Sequence, residues 1–293
     1  MTTLDKHPRR SVLYLPGFNS RALEKATTLP SDCLIFDLED AVAPASKTNA
    51  REKVAKAFRD HDYGLRERVI RVNGVDTPWA EDDIAMAVPL KPEAILFPKV
   101  DSDAQVVDLV GYLDSVGGTN IPVWLMIETP QSILNVEAIA IASHRINALV
   151  LGTSDLVKEL HARHTPGREN LSFALQRCVV AARAARVAVI DGVHLDFRNE
   201  QAFIQVCEAG RDMGFDGKTL IHPSQVEPAN QVFGYSESDV MHAKRLLETW
   251  NDAQKRGDGV AELDGQLIEN LHAAQAQRVL DYVARLAQRV VDD

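Results

Sequence analysis

Two stretches, Val123-Trp-Leu-Met-Ile-Glu-Thr-Pro130 and Ala148-Leu-Val-Leu-Gly-Thr-Ser-Asp155, decide the fold of this chain. Each is a short apolar run followed by a carboxylate, Glu128 in the first and Asp155 in the second. A run of this kind is typical of a buried parallel strand that carries an acid to the carboxyl edge of a sheet. Two such strands in succession predict an α/β enzyme with its site at that edge.

Similar apolar runs recur along the whole chain, with segments of helical spacing between them. The eight predicted strands are Val12–Leu15, Leu34–Leu38, Val69–Val72, Ala94–Phe97, Val123–Ile127, Ala148–Leu151, Val187–Ile190 and Thr219–Ile221. Eight alternating strand and helix units predict a closed (β/α)8 TIM barrel. An open doubly wound sheet fits less well, because no Gly-x-Gly-x-x-Gly follows the first strand.

Some 70 residues follow the eighth predicted strand, more than a barrel needs to close. We expect residues 1–232 to form the catalytic barrel and residues 233–293 to form a helical appendage. Within the appendage, Val240–Trp250 has the spacing of an amphipathic helix, and Leu263–Ile268 is a candidate hairpin or turn before a final helix. The appendage is predicted to cover the barrel as a lid or to pack on a neighbouring subunit.

Composition excludes several classes of protein. The 293 residues are 45% hydrophobic and 25% charged, as in a globular protein, and the net charge of -10 argues against nucleic-acid and membrane-surface partners. The three cysteines, Cys33, Cys178 and Cys207, are far apart in apolar or helical contexts and are predicted to be reduced thiols. The polar stretch Met1–Arg10 lacks an apolar signal region, so a cytoplasmic protein is expected.

Glu128 and Asp155 have two interpretations. Two carboxylates at the carboxyl ends of neighbouring strands suit Mg²⁺, which takes oxygen ligands and keeps positions for water and substrate. Alternatively, each acid pairs with a lysine or arginine at the same edge, or caps the helix that follows; Ser154-Asp155 is a candidate N-cap. The residues alone leave both interpretations open.

Arg71 lies in a strand that points it inward, and a buried guanidinium needs an anion. That anion is either a structural acid from Asp37-Leu-Glu39-Asp40 or a carboxylate of the substrate, and both can hold at once. Because side chains alternate along a strand, Asp37 and Glu39 share a face. At least one of them is expected to orient Arg71 rather than to act in catalysis.

Lys99 and His222 follow two other predicted strands. A buried lysine at this edge could form a Schiff base with a carbonyl substrate, which gives a rival mechanism, or it could simply balance the nearby acids. His222, at the end of the eighth strand, lies where barrels often bind phosphate.

Eight short motifs in order carry a resemblance to a known family. They are Arg10-Ser-Val-Leu-Tyr-Leu-Pro-Gly17, Phe36-Asp-Leu-Glu-Asp-Ala-Val-Ala-Pro44, Arg71-Val-Asn-Gly74, Phe97-Pro-Lys-Val100, Ile127-Glu-Thr-Pro130, Gly152-Thr-Ser-Asp-Leu156, Gly214-Phe-Asp-Gly-Lys-Thr-Leu-Ile-His-Pro223 and Asp264-Gly-Gln-Leu-Ile-Glu-Asn270. From about residue 9 to 290 the chain resembles the citrate lyase β-subunit-like (CitE-like) family of the HpcH/HpaI aldolase superfamily.

The resemblance implies a Mg²⁺-dependent enzyme, with Mn²⁺ as a possible substitute, that acts on acyl-CoA substrates. Its first implication is carbon–carbon cleavage of a malyl-, methylmalyl- or citramalyl-CoA into a keto acid and a smaller acyl-CoA. Glu128 and Asp155 match the family's metal ligands, and Arg71 matches the arginine that binds the keto-acid end. Arg21 and Lys25 fall where relatives contact the phosphates of CoA.

One position departs from the family pattern. Many relatives carry Gly-x-Met-Ile-Asp, whose aspartate reaches a neighbouring subunit's site, whereas this chain has Gly265-Gln-Leu-Ile-Glu269. Glu269 is therefore the expected acid–base group, one methylene longer, and action in trans would imply a homotrimer. The segment Glu269–His272 resembles malyl-CoA thioesterase-like and citramalyl-CoA lyase-like members. Thioester hydrolysis is accordingly the alternative to the lyase reaction, and a stand-alone enzyme is favoured over a subunit of a large complex.

Overall fold

Eight parallel strands close into a barrel in which each strand pairs with the next and β8 pairs with β1. The structure, a computed structural model, describes residues 7–291, so the first six residues of the polar N-terminal stretch and the last two of the appendage lie outside the described residues. The strands are β1 Ser11–Pro16, β2 Cys33–Asp37, β3 Glu67–Arg71, β4 Ala94–Phe97, β5 Val123–Ile127, β6 Ile146–Leu151, β7 Ala188–Asp191 and β8 Gly217–Leu220. The predicted TIM barrel is confirmed, and each predicted strand overlaps an observed one.

Helices follow the strands and surround the barrel. They are α1 Ser20–Lys25, α2 Lys47–Asp60, α3 Ala80–Leu90, α4 Asp103–Ser115, α5 Pro130–Ile141, α6 Thr153–Glu159, α7 Ser172–Ala185, α8 Glu200–Met213 and α9 Val226–Val232. Short 3-10 turns at Ala26–Thr28, Pro44–Ser46, Glu169–Leu171 and Pro223–Gln225 connect some of them.

Side-chain alternation divides the apolar residues of the barrel into two layers. The smaller cluster fills the interior of the barrel and includes Val12, Ile35, Val69 and Trp124. The larger cluster lies between the strands and the surrounding helices. A barrel filled in this way is a packed core, so chemistry is confined to its two mouths.

The N-terminal mouth, where the strands begin, is closed by a buried ion pair. The Arg9 guanidinium donates to both carboxylate oxygens of Glu67 at 2.7 Å and lies 4.8 Å from the centre of the Trp124 ring. A Cβ on Gly217 would overlap the carbonyl of Arg9, so only glycine allows this approach. The mouth is thus plugged by an ion pair in which both carboxylate oxygens of Glu67 are hydrogen-bonded.

Residues from Gly234 onward form a second compact unit. It contains α10 Glu237–Arg256, the hairpin of β9 Ala261–Leu263 and β10 Gln266–Ile268, and α11 Asn270–Val291. Asp264 and Gly265 both have positive φ, the conformation that an Asp-Gly two-residue hairpin turn requires. The predicted hairpin is confirmed, and the two helices share an apolar cluster of their own around Leu246, Trp250 and Ile268.

The cysteines and the helix lengths can be compared with the predictions from composition. The three cysteines are buried thiols, as predicted. Among residues 7–291, no helix combines the length and the apolar character needed to cross a bilayer.

Candidate active site at the C-terminal mouth

Glu128 lies directly after β5, at the C-terminal mouth where the strands end, and its side chain is fully buried. Its Oε1 accepts a hydrogen bond from the backbone N–H of Lys99 at 2.8 Å. Its Oε2 is buried with no hydrogen-bond donor in the described part of the chain. Burial first, and then the nearby Glu39 carboxylate, raise the pKa of Glu128 to about 7.

Asp155 lies close to Glu128, and its charge is one of those that raise the pKa of that carboxyl. The predicted alternative, a Ser154-Asp155 N-cap, is wrong. The N-cap position is Gly152, and Asp155 lies in the first turn of α6, half-buried. A Cβ on Gly152 would overlap the Glu128 carboxylate, which explains why the loop after β6 has glycine beside this acid. The Asp155 carboxylate is therefore free of a capping role.

A divalent cation fits these two acids. An anionic oxygen that is buried without any donor is costly, and a cation removes that cost. Two carboxylates with positions left for water and substrate suit Mg²⁺. The described residues hold no cluster of three or more candidate metal ligands, so any ion here would depend on water or substrate for its remaining ligands.

Arg71, the last residue of β3, is held by Asp37, the last residue of β2. Its Nε and Nη2 each donate to an Asp37 oxygen at 2.7 Å, and its Cζ lies 4.8 Å from the centre of the Tyr14 ring. Burial opposes the charge, but Asp37, Tyr14 and Glu39 together outweigh it and raise the pKa of Arg71. The guanidinium is therefore charged and fixed in orientation, and its Nη1, which Asp37 does not engage, donates to the Met126 sulfur at 3.5 Å.

Glu39 connects Arg71 to Lys99. The Glu39 Oε2 lies 2.8 Å from the Arg71 Nη1 but without hydrogen-bond geometry, and its Oε1 accepts from the Lys99 Nζ at 3.0 Å. The residues predicted at the strand ends thus meet at one mouth. Of the two predicted supporting acids, Asp37 orients Arg71 through two hydrogen bonds, whereas Glu39 lies between two cations.

Lys99 is charged in this environment. Burial disfavours its charge, but the carboxylates of Glu39, Glu128 and Asp40 together outweigh burial and raise the pKa of Lys99. A Schiff base requires a neutral amine, so the structure argues against the rival lysine mechanism. Lys99 has φ 52, and its backbone N–H is thereby brought to Glu128.

A buried network behind this mouth was missed by the sequence analysis. The Lys47 Nζ donates to the carbonyls of Leu38 and Glu39, both at 2.8 Å, and to the Asn73 side chain at 2.6 Å. Asn73 in turn donates to Asp83 at 2.6 Å. The network fixes the backbone that carries Glu39. Nothing in the sequence distinguishes Lys47 from the other lysines of α2, so only the tertiary structure could show it.

Tyr14 was also missed, although the signal was available. It lies in β1, and alternation from Val12 places it inside the barrel. Burial raises its pKa, so the ring is neutral under the Arg71 guanidinium.

The predicted CoA-binding residues lie apart from the acids. Arg21 and Lys25 are exposed on α1, directly after β1. His222 is exposed after β8, where its Nδ1 contacts Ser224 and its ring stacks on Phe197 at 4.6 Å. The structure places all three after the carboxyl ends of β1 and β8, which are neighbouring strands, but shows no contact between them and Glu128 or Asp155.

Glu269 belongs to the second compact unit. It directly follows β10, its side chain is exposed, and its backbone N–H donates to the His272 imidazole at 3.0 Å. Its predicted role in catalysis stays a prediction.

The fold and these groups define a class: a TIM-barrel protein with an acid pair and a fixed arginine at the C-terminal mouth. The model of the HpcH/HpaI aldolase/citrate lyase family matches residues 10–223. The chain is therefore an enzyme of this family, and the resemblance seen in its motifs is confirmed.

Individual relatives agree with this assignment. The chain is 47% identical to a (3S)-malyl-CoA thioesterase of Cereibacter sphaeroides over 94% of each chain. It is 34% identical to citrate lyase subunit beta of Haemophilus influenzae, over 93% of this chain and 96% of that one. The crystal structure of CitE from Mycobacterium tuberculosis in complex with magnesium, acetoacetate and coenzyme A is similar with a TM-score of 0.77 at 25% identity, covering 94% of this chain and 97% of that chain.

Proposed function

We propose that this chain is a Mg²⁺-dependent hydrolase that cleaves the thioester of a malyl-CoA-type substrate. The observation that carries the proposal is the Glu128 Oε2, buried without a donor beside Asp155 and near the fixed Arg71. The identity of 47% to a malyl-CoA thioesterase, against 32–34% to citrate lyase β subunits, supports hydrolysis better than the lyase reaction that the motifs placed first.

In the proposed reaction, water adds to the thioester carbonyl and the carbon–sulfur bond breaks. The products are the free CoA thiol and an intact hydroxy-dicarboxylic acid, with one proton released. When bound, Mg²⁺ supplies Lewis-acid polarisation of a substrate oxygen, and Glu128 and Asp155 are the residues that hold it. Mn²⁺ is a candidate substitute, because it takes the same oxygen ligands.

Arg71 binds the carboxylate of the acyl group in this proposal. Its Nη1 is the nitrogen that Asp37 leaves unused, and a guanidinium pairs well with a carboxylate. Asp37 and Tyr14 keep the guanidinium oriented, and Glu39 and Lys99 complete the charged wall beside it. Arg21, Lys25 and His222 are exposed and available to the CoA moiety.

Glu269 is the proposed acid–base group, acting from a neighbouring copy in a homotrimer. We propose residues 1–232 as the catalytic domain and residues 233–293 as the lid and oligomerisation segment. Exposed apolar side chains on α5 and α7 support self-association. Leu134 and Ile141 on α5, and Phe173 and Val180 on α7, are each seven residues apart, so each pair lies on one face of its helix and forms an exposed apolar patch. A cytoplasmic location is proposed with support from the three reduced cysteines.

A carbon–carbon lyase is the second candidate, supported by the citrate lyase β subunits among the relatives. That reaction would release a keto acid and a smaller acyl-CoA rather than free CoA.

One pair of assays separates the two candidates. Malyl-, methylmalyl- and citramalyl-CoA are supplied with Mg²⁺, and free thiol and keto acid are followed in parallel. Thiol release without keto acid, abolished by EDTA, is the expected result. Keto acid formed with no free thiol would overturn hydrolysis in favour of the lyase, and turnover that survives EDTA would contradict both.

A further inference from the structure

A cavity of about 250 Å³ lies beside the C-terminal mouth, on the side of β6 and β7. Its walls come from α6, the loop that precedes α7, the loop after β7, and Val206 of α8. Arg71, Glu128 and Asp155 are not among its lining residues. The cavity is therefore separate from the catalytic groups, although α6 contributes to both.

The lining is rich in basic groups. Arg163, His164, Arg168 and His194 line the cavity, against a single acid, Asp196. This concentration is notable in a chain of net charge -10. Burial lowers the pKa of His194, so the charged groups of the lining are the two arginines and Asp196. A concave site with a surplus of one sign of charge favours a ligand of the opposite sign.

Arg168 adds fixed charge to one wall. Its Nη1 donates to Asp191 at 2.7 Å, and the Lys218 Nζ donates to the other oxygen of the same carboxylate at 2.8 Å. Asp191 and Lys218 are both fully buried. Among the described residues, Arg168 therefore shares its only carboxylate partner with Lys218, although burial lowers the pKa of that lysine.

Two further groups lack partners. The His194 Nε2 is buried without a hydrogen-bond partner among residues 7–291. Arg163 is exposed and forms no ion pair within the same described range. With its single proton on Nε2, the neutral imidazole would donate to an oxygen of the ligand, and an anionic ligand would pair with the guanidinium.

We propose that this cavity binds a small organic or inorganic oxyanion, with a carboxylate or phosphate group facing Arg163 and His194. Its volume is just below the roughly 300–1,000 Å³ typical of sites for drug-sized ligands, which favours a small metabolite. The proposal does not depend on the reaction catalysed at Glu128 and Asp155.

Isothermal titration calorimetry on the full-length protein in EDTA-containing buffer tests the proposal. Malate and inorganic phosphate are the two probes, and the tighter one identifies the source of the oxyanion. One phosphate per chain is expected to bind, whereas malate, as the proposed product, has a second site at Arg71 that the Arg71→Lys variant weakens. Arg163→Gln and His194→Leu should each weaken binding about tenfold, the effect of losing one charge-assisted or buried hydrogen bond.

Two matched controls accompany these variants. Arg59→Gln removes an exposed arginine on α2, and Arg71→Lys alters the catalytic mouth; neither should change the affinity for phosphate. The proposal is overturned if neither probe binds. It is also overturned if Arg71→Lys abolishes binding while Arg163→Gln and His194→Leu bind normally.

Discussion

Each mouth of the barrel contains an arginine that pairs with a carboxylate over an aromatic ring, but one mouth is closed and the other holds the candidate active site. At the N-terminal mouth Arg9 makes a two-point pair with Glu67 over the Trp124 ring, and at the C-terminal mouth Arg71 makes a two-point pair with Asp37 over the Tyr14 ring. Both guanidinium carbons lie 4.8 Å from their ring centres.

The difference lies in what surrounds each pair. Around Arg71 are two further buried acids, Glu39 and Glu128, and each has an Oε2 without a hydrogen-bond donor in the described chain. Neither oxygen of Glu67 is left in that condition, because Arg9 donates to both. A satisfied ion pair closes a barrel, whereas surplus buried acid prepares a site for a cation and a substrate.

The largest expected effect comes from removing one charge of the acid pair. Asp155→Asn should lower kcat/KM about a thousandfold, because several kcal/mol of Lewis-acid stabilisation are lost. The matched control is Glu93→Gln, an acid-to-amide change in a partly exposed pair with Arg68. Steady-state kinetics at saturating Mg²⁺ measure the effect, and near-normal activity in Asp155→Asn would refute the assignment.

Replacing the arginine of each mouth in turn sharpens the comparison. Arg71→Lys should lower kcat/KM about a hundredfold, since lysine cannot reproduce the two-point geometry. Arg9→Met should leave activity of the folded enzyme unchanged but reduce the free energy of unfolding by about 3 kcal/mol, because Glu67 is left as an unpaired buried charge. Steady-state kinetics and urea denaturation of both variants provide the test. Normal activity in Arg71→Lys together with lost activity in Arg9→Met would contradict the assignment of the site to the C-terminal mouth.

Glu128→Gln is expected to lower activity as Asp155→Asn does, yet to stabilise the metal-free form of the enzyme. The raised pKa of about 7 means that the folded state binds this proton more tightly than the unfolded state does, so stability falls as pH rises from about 4.5 through 7. Removing the ionisable group should therefore add about 3 kcal/mol to the free energy of unfolding at pH 8. Thermal melts in EDTA at pH 8 and pH 5 should show that gain shrinking at the lower pH; a constant difference would contradict it.

Lys47→Met tests the network behind the C-terminal mouth. Loss of the hydrogen bonds to the Leu38 and Glu39 carbonyls should misplace Glu39 and lower kcat/KM about tenfold. Lys56→Met, an exposed lysine of the same helix, is the control. Equal kinetics in the two variants would show that the network is not needed to position the mouth.

The smallest expected effect concerns Lys99. Because this amine is charged beside Glu39, borohydride with a keto acid should leave the activity unchanged. Mass spectrometry of the treated protein provides the check, and a covalent adduct on Lys99 would revive the Schiff-base mechanism.

The barrel and the residues of its C-terminal mouth could be predicted because each strand end is a local pattern. An apolar run that stops at Glu128 or Arg71 predicts that this residue lies at the C-terminal mouth, without knowledge of the rest of the fold. The N-cap interpretation of Ser154-Asp155 failed because α6 begins earlier, at Thr153, so that Gly152 is the N-cap. Only glycine fits at position 152, since a Cβ there would overlap Glu128.

Other features depended on contacts between distant segments. Arg9 precedes the first strand and reaches Glu67, which lies 58 positions away in the chain. Lys47 and Asn73 meet only because β2 and β3 are neighbours in the sheet. The division of roles between Asp37 and Glu39 likewise required geometry, since alternation places both on one face.

Binding of Mn²⁺, followed by electron paramagnetic resonance of the full-length protein at pH 8, tests the central claim most directly. The account predicts one tightly bound ion per chain, lost in Glu128→Gln and in Asp155→Asn and retained in Glu93→Gln. Unchanged Mn²⁺ binding in both of the first two variants would contradict it.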